Sequence, residues 1–304
     1  MNESDLSAKL DGAWGDPQTW ITNGLQWAHL EPVRRLINKR VSGNASVSPL
    51  AWFANHVAAH GALPLKRVLV LGCGAGQVER HLHNSGWASE IVAFDFSSKV
   101  LEVAKASSAG NPAITYVLAD MNNLPTGRAP LMTASFDAVM GVSSVHHCAN
   151  LPGLYAGINS LLKPGGWFFL DEYVGPDQFQ YSDANLEQLN DLIRLLPDWL
   201  LTTQSGSIKR NFTAPTVAQV VAVDPSEAIA SSSILPLLSD YFEVVSQRPY
   251  GGSLLRLLLA DVAQNFQSEQ AKPWLQALMD VEDDLDRLHL LEHHFSCVIA
   301  RPRP

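Results

Sequence analysis

Val68-Leu69-Val70-Leu71-Gly72-Cys73-Gly74-Ala75-Gly76 decides the reading of this chain. Four apolar residues without alternation suit a strand buried on both faces, as in a parallel sheet. The alternate glycines that follow let the backbone turn tightly and let a ligand lie against main chain with no Cβ between. A helix predicted over Gln77–Asn84 would start with free N–H groups facing that ligand. The local pattern is therefore strand, glycine turn, helix.

The same rhythm continues downstream. Ile91–Phe96, Ile114–Leu118, Phe136–Val142 and Trp167–Leu170 read as further strands. Between them, Ser97-Ser98 opens a helix running to about Ala106, and Leu151–Leu162 carries apolar residues at helical spacing until Pro164-Gly165-Gly166 stops it. Alternating strands and helices imply right-handed βαβ units and a doubly wound, mostly parallel α/β sheet. Residues 1–62 read as helices and loops that hold Trp14, Trp20, Trp27 and Trp52, either packing on the main domain or forming an aromatic lid. Beyond Gly175 the rhythm breaks. Helices are predicted over Asp183–Leu200, Ser253–Phe266 and Pro273–Leu291, and strands over Tyr241–Gln247 and Phe295–Ala300. In Pro273–Leu291 the apolar stripe is Trp274, Leu275, Leu278, Val281, Leu285 and Leu288, with Glu282, Asp283, Asp284 and Asp286 on a solvated face. The expected organisation is a helical segment over 1–62, a Rossmann-like core over 63–175 and a helical cap over 176–304 that adds the last two strands.

Composition narrows the function classes. The chain has 304 residues and a formal charge of −9, with 46% of residues apolar, enough for a large core. The negative balance is a poor match for phosphate backbones, so no nucleic-acid partner is expected. No apolar run has the length of a membrane span, and the polar, acidic start lacks the order of a signal peptide. The expectation is a cytoplasmic protein without a membrane partner. Cys73, Cys148 and Cys297 are far apart and show no C-x-x-C, which argues against a disulfide framework or zinc site.

The chemistry-bearing residues lie at the ends of the expected strands. Asp95, nineteen residues after Gly76, ends the second strand, where a carboxylate can accept from both hydroxyls of a ribose. Asp120 and Met121 follow the third strand, placed for an adenine amine and ring. Phe96, Gly141 and Val142 sit at the same lip. These residues point to an adenosine cofactor. A dinucleotide would call for G-x-G-x-x-G, whose third glycine falls on Gln77, so a nicotinamide-dependent oxidoreductase is disfavoured.

At these residues the chain resembles the class I, Rossmann-like S-adenosylmethionine-dependent methyltransferases. Gly72, Cys73, Gly74 and Gly76 match the family's glycine loop, Asp95 its ribose-binding acid, Asp120 and Met121 its adenine-binding pair, and Leu162–Gly166 its turn before the fifth strand. The resemblance covers roughly Leu65 to Gly175. The family usually carries an acid two residues before the first glycine; Val70 stands there instead. The resemblance implies S-adenosylmethionine as cofactor, methyl transfer as reaction, and a seven-stranded sheet with an antiparallel edge pair. The layout is also similar to methyltransferase-like proteins of bacterial glycan and secondary metabolism, so the expected acceptor is a small molecule or glycan-type compound with a hydroxyl oxygen. A protein of this fold that binds the cofactor without turnover is the alternative.

Alignment of acceptor, methyl and sulfur does most of the work in such a reaction, and a base is useful when the acceptor starts protonated. His146, His147, Glu172 and Tyr173 are the candidates beside the fourth and fifth strands, with His146, His147 and Glu172 the expected catalytic set. Of two adjacent histidines, at most one is expected to face the acceptor. No H-x-x-x-H or H-E-x-x-H spacing supports a metal, and none is expected. His81 and His83 read as surface residues. Lys209-Arg210 reads as a solvated loop or a partner for an anionic acceptor.

Overall fold

The computed structural model describes residues 25–303. Trp14 and Trp20 lie outside the described residues, whereas Trp27 is buried and Trp52 packs at the edge of a core. The strands are β1 (Leu65–Leu71), β2 (Ala88–Asp95), β3 (Ile114–Leu118), β4 (Phe136–Val142), β5 (Leu162–Tyr173), β6 (Phe242–Gly252) and β7 (His293–Pro302). They form a seven-stranded sheet in the order β3-β2-β1-β4-β5-β7-β6. Strands β1 to β5 pair in parallel, and β7 runs antiparallel to both β5 and β6, with β6 at the edge. The order reverses between β2 and β4 on either side of β1. Such switch points place ligand sites at the carboxyl ends of the strands.

Helices cover both faces. In chain order they are α1 (Glu31–Ser42), α2 (Pro49–Ala59), α3 (Gln77–Asn84), α4 (Ser98–Ser107), α5 (Leu151–Leu161), α6 (Asp183–Leu195), α7 (Val217–Val223), α8 (Ile234–Tyr241), α9 (Leu255–Leu259) and α10 (Lys272–Arg287). Their starts follow side-chain chemistry. Ser48, Ser97, Asn150 and Ser182 each accept a first-turn N–H. Gly43, in the left-handed region at φ 79°, ends α1.

Three apolar clusters result. One lies on each face of the sheet, built around Phe94, Phe136 and Phe168 and around Phe53, Met140 and Phe169. The third joins α1 and Trp27 to α6, α9 and α10 away from the sheet centre. Helix α1 therefore packs with the C-terminal additions.

Several expected elements change on folding. The helix expected over Asp183–Leu200 ends at Leu195, because Pro197 cannot continue it; a 3-10 turn, Asp198–Leu200, follows. The helix expected over Ser253–Phe266 is split into α9 and a 3-10 turn, Ala263–Gln267, by Asp261 at φ 65°. Strand β5 runs well past Leu170 to Tyr173. The short helix α7, Val-Ala-Gln-Val-Val-Ala-Val, has strand-like composition but starts with a reciprocal Thr216–Gln219 capping box. In α10 the buried face is Leu275, Leu278, Met279 and Glu282, while Trp274, Val281 and Leu288 are exposed. Glu282 leaves the expected solvated face because Arg40 reaches it from α1: Arg40 Nη1 donates to Glu282 Oε2 at 2.6 Å and to the Tyr250 carbonyl at 3.1 Å. The other Glu282 oxygen accepts the Leu255 N–H at 3.2 Å, so this buried carboxylate also caps α9.

Candidate active site

A cavity of about 510 Å³ opens at the carboxyl ends of β1, β2, β4 and β5. A larger, shallower depression of about 770 Å³ lies at the other end of the strands, against Leu162, Gly165 and Pro302. It holds none of the candidate residues.

The glycine turn forms the first wall. Gly72, Gly74 and Gly76 all have positive φ, at 56°, 52° and 78°. A side chain at Gly72 would meet Ser144 Cβ at 2.6 Å, whereas one at Gly74 would meet nothing within 4 Å. Gly74 thus presents bare backbone to the cavity. Asp95 sits against this turn: Oδ2 accepts the Gly74 N–H and Oδ1 the Ser97 N–H, both at 2.9 Å. A carboxylate has about four lone-pair sites, so the acid can brace the turn and still accept from a ligand. Gly72, Gly74, Asp95, Phe96 and Met121 all line the cavity.

Other expected residues stand behind it. Cys73 is buried, and burial raises its thiol pKa far above the ordinary range. Gly76 packs against Tyr116, Arg80 and Ala104, and Gly141 against Val145. Val142 packs at the edge of a core cluster. Asp120 Oδ1 accepts the Asn122 N–H at 2.8 Å, stabilising the turn that presents Met121. Val70 is buried between Ala93 and Met140, so no acid from β1 reaches the turn. A different acid lies nearby in sequence. Glu79, in the first turn of α3, is fully buried beside the Cys73 thiol, and burial pushes its carboxyl up to about 7.

The opposite wall carries the histidines. A 3-10 turn, Val145–His147, follows β4, and both His146 and His147 line the cavity with rings 4.2 Å apart. The tight turn brings the neighbouring rings to one side, against the expectation that only one would face in. Glu172 explains the turn. Its Oε2 accepts the N–H groups of Ser144 and Val145 at 2.7 and 2.6 Å. Its Oε1 accepts the Tyr173 N–H at 2.7 Å and lies 2.5 Å from His146 Nδ1. Glu172 is fully buried and does not reach the cavity. Burial disfavours its charge, but His146 and the backbone donors outweigh that and hold it below the usual carboxylate range.

His146 also feels burial first, yet the Glu172 and Glu227 carboxylates keep its pKa above the ordinary imidazole value. Burial and the neighbouring His146 push His147 down to about 4. Nδ1 of His147 lies 3.0 Å from Ser226 Oγ, which in turn donates to Asp224 Oδ1. Glu227 Oε1 lies 3.6 Å from His146 Nε2. His146, His147 and Glu227 bring one ligating atom each within 4.8 Å of one another, an arrangement able to relay a proton or to hold a cation.

Two cavity residues had weak sequence signals. Arg256 stands alone in the run Leu254-Leu255-Arg256-Leu257-Leu258-Leu259, and Glu227 lies in an irregular loop. A lone charge among leucines was the available sign. Lys209, read as loop surface, instead donates to the carbonyls of Leu257, Leu258 and Ala260 at 2.7, 3.0 and 2.9 Å and closes the end of α9. Arg210 pairs with Asp198 on the surface.

Residues 69–170 match the family described as "Methyltransferase domain". A ubiquinone biosynthesis O-methyltransferase of Xanthomonas campestris is 32% identical over 160 residues, covering 51% of this chain and 64% of that protein. An uncharacterized methyltransferase of Synechocystis is 33% identical over 120 residues, covering 39% and 52%. The chain thus spans less than two thirds of the length of these relatives. Among solved structures, a Mesorhizobium loti S-adenosylmethionine-dependent methyltransferase aligns with a TM-score of 0.44 and 21% identity, covering 82% of this chain and 97% of that one. Among the described residues no helix is long and apolar enough to cross a membrane. Residues 69–170, which carry the glycine turn after β1 and most of the parallel part of the sheet, are thus similar to a methyltransferase domain.

Proposed function

We propose that the chain is an S-adenosylmethionine-dependent methyltransferase acting on a small or medium-sized acceptor at a hydroxyl oxygen. One observation carries the reading: His146 borders the same cavity as Gly72, Gly74 and Asp95, with its Nδ1 on a buried carboxylate. The bare backbone of Gly74 and the Asp95 carboxylate fit a nucleoside, and Phe96 and Met121 offer apolar contact to its base. Bound there, the cofactor supplies an electrophilic methyl group on a sulfonium whose departure leaves a neutral thioether.

The chain's own residues then do three things. The glycine turn and Asp95 fix the donor. Glu172 holds the Nδ1–H tautomer of His146, which leaves Nε2 to accept a proton. A hydroxyl acceptor placed at Nε2 becomes a better nucleophile as that proton leaves. Glu227, 3.6 Å from the same nitrogen, stabilises the imidazolium. Glu172 is thus a positioning residue, and His147 a neutral neighbour on the cavity wall.

The test is calorimetric titration with S-adenosylmethionine, followed by incubation of hydroxylated metabolite extracts with a labelled methyl donor, with and without a chelator. Saturable binding and a labelled ether product that persists with chelator are expected. No binding at millimolar concentration removes the reading. Binding without any product leaves a cofactor-binding module, and chelator-sensitive turnover transfers the role of His146, His147 and Glu227 from proton relay to cation.

A further inference from the structure

Arg256, on α9, lines the cavity. Its guanidinium lies 5.4 Å from the Tyr173 ring, 5.2 Å from Phe179 and 5.6 Å from Phe295. It makes one long hydrogen bond among the described residues, Nη1 donating to Tyr181 Oη at 3.3 Å. Among the described residues no carboxylate forms an ion pair with it, and the nearby Glu227 is turned to His146. The placement is held from behind: Glu282 caps the start of α9 and Lys209 its end. A cation mounted in this way, ringed by aromatic faces and with no carboxylate in direct ion-pair contact, is suited to an anionic ligand.

Two further observations define that ligand. Arg256 is the one Lys or Arg among the described residues lining the cavity, which matches a single negative charge better than a phosphate dianion. It also packs on side chains of β5 and β7, and β7 is three strand spacings from β1, roughly 14 Å along the sheet. That is the acceptor side of the cavity. The Tyr173 ring neighbours both groups, 5.4 Å from the Arg256 guanidinium and 6.2 Å from the His146 ring.

Resting on the methyl-transfer reading above, we infer that Arg256 is the acceptor-recognition residue and that the acceptor carries a carboxylate on an aromatic or otherwise flat apolar body, its hydroxyl directed to His146. A guanidinium binds such a carboxylate through paired N–H donors, and the flanking rings cover the apolar body.

Benzoate and its neutral isostere benzamide are the minimal probes. Each is titrated into native protein, Arg256→Gln and Arg256→Lys, with and without saturating S-adenosylhomocysteine; S-adenosylmethionine affinity is measured on all three. Benzoate should bind native protein at least tenfold tighter than benzamide. Arg256→Gln should abolish that preference, Arg256→Lys should keep part of it, and cofactor affinity should stay within twofold. Absent or equal binding of the two probes overturns the inference, as does a preference that survives in Arg256→Gln. A tenfold loss of cofactor affinity in Arg256→Gln also overturns it, by assigning the guanidinium to the cofactor's own carboxylate. Failure of native protein to bind S-adenosylmethionine counts against the methyltransferase reading alone, since the probe comparison without S-adenosylhomocysteine stands independently.

Discussion

Nδ1 of His146 and Oε1 of Glu172 are 2.5 Å apart, and the carboxylate is held in turn by three backbone N–H groups, from Ser144, Val145 and Tyr173. Strand β5 and the turn after β4 are thereby locked together through one buried side chain. The imidazole cannot rotate without breaking that contact, so its Nε2 is pre-aimed.

If this pair supplies the base, removing the imidazole should lower kcat by about 10²–10⁴-fold and leave S-adenosylmethionine affinity within twofold. His146→Ala with a hydroxyl acceptor is the variant to measure. Normal turnover would make the ring structural.

The same pair predicts the pH profile. The base must be neutral to act, and its pKa is raised above the ordinary imidazole value because the Glu172 and Glu227 carboxylates outweigh burial. The rate should therefore rise with pH along an acid limb centred above pH ~6.5. Glu172→Gln should move that limb to lower pH and lower kcat. It should also destabilise the protein by about 1–3 kcal/mol, since an amide cannot accept everything the carboxylate accepts. A limb unmoved in Glu172→Gln would separate the two residues functionally.

The glycine turn allows a contrast between folding and binding. Gly72→Ala forces a Cβ to 2.6 Å from Ser144 Cβ and should reduce thermal stability. Gly74→Ala meets no neighbour within 4 Å, so its folding cost is the positive φ alone, roughly 1 kcal/mol. It should nonetheless weaken S-adenosylmethionine binding at least tenfold, because the new methyl occupies the ligand's approach. Equal affinities for native protein and Gly74→Ala, by calorimetry, would place the cofactor elsewhere.

These contrasts show which parts of the molecule were legible before folding. The turn at Gly72–Gly76, Asp95 and β1 to β4 are local: burial on both faces selects apolar runs, and positive φ selects glycine. The acceptor side is not local. Arg256 and Glu227 reach the cavity from segments after the parallel core, and their placement depends on long-range partners such as Glu282 on Leu255 and Lys209 on Leu257. Glu282 itself reads as solvated within α10 because nothing in its own helix announces Arg40.

Glu79 makes stability pH-dependent in a predictable direction. Its carboxyl is pushed up to about 7 by burial, against 4.5 for the ordinary group. Below pH 4.5 folded and unfolded chains are both protonated there, and the contribution is fully present. As pH rises from there to about 7 the unfolded chain releases its proton while the folded chain keeps it, so stability falls, by on the order of 3 kcal/mol in total. Above pH ~7 the folded group also ionises and the fall levels off. Glu79→Gln removes the titration, so its stability relative to the native chain should grow between pH 5 and 8. Chemical denaturation of both proteins across that range is the measurement. Parallel curves would mean that Glu79 is solvated in solution.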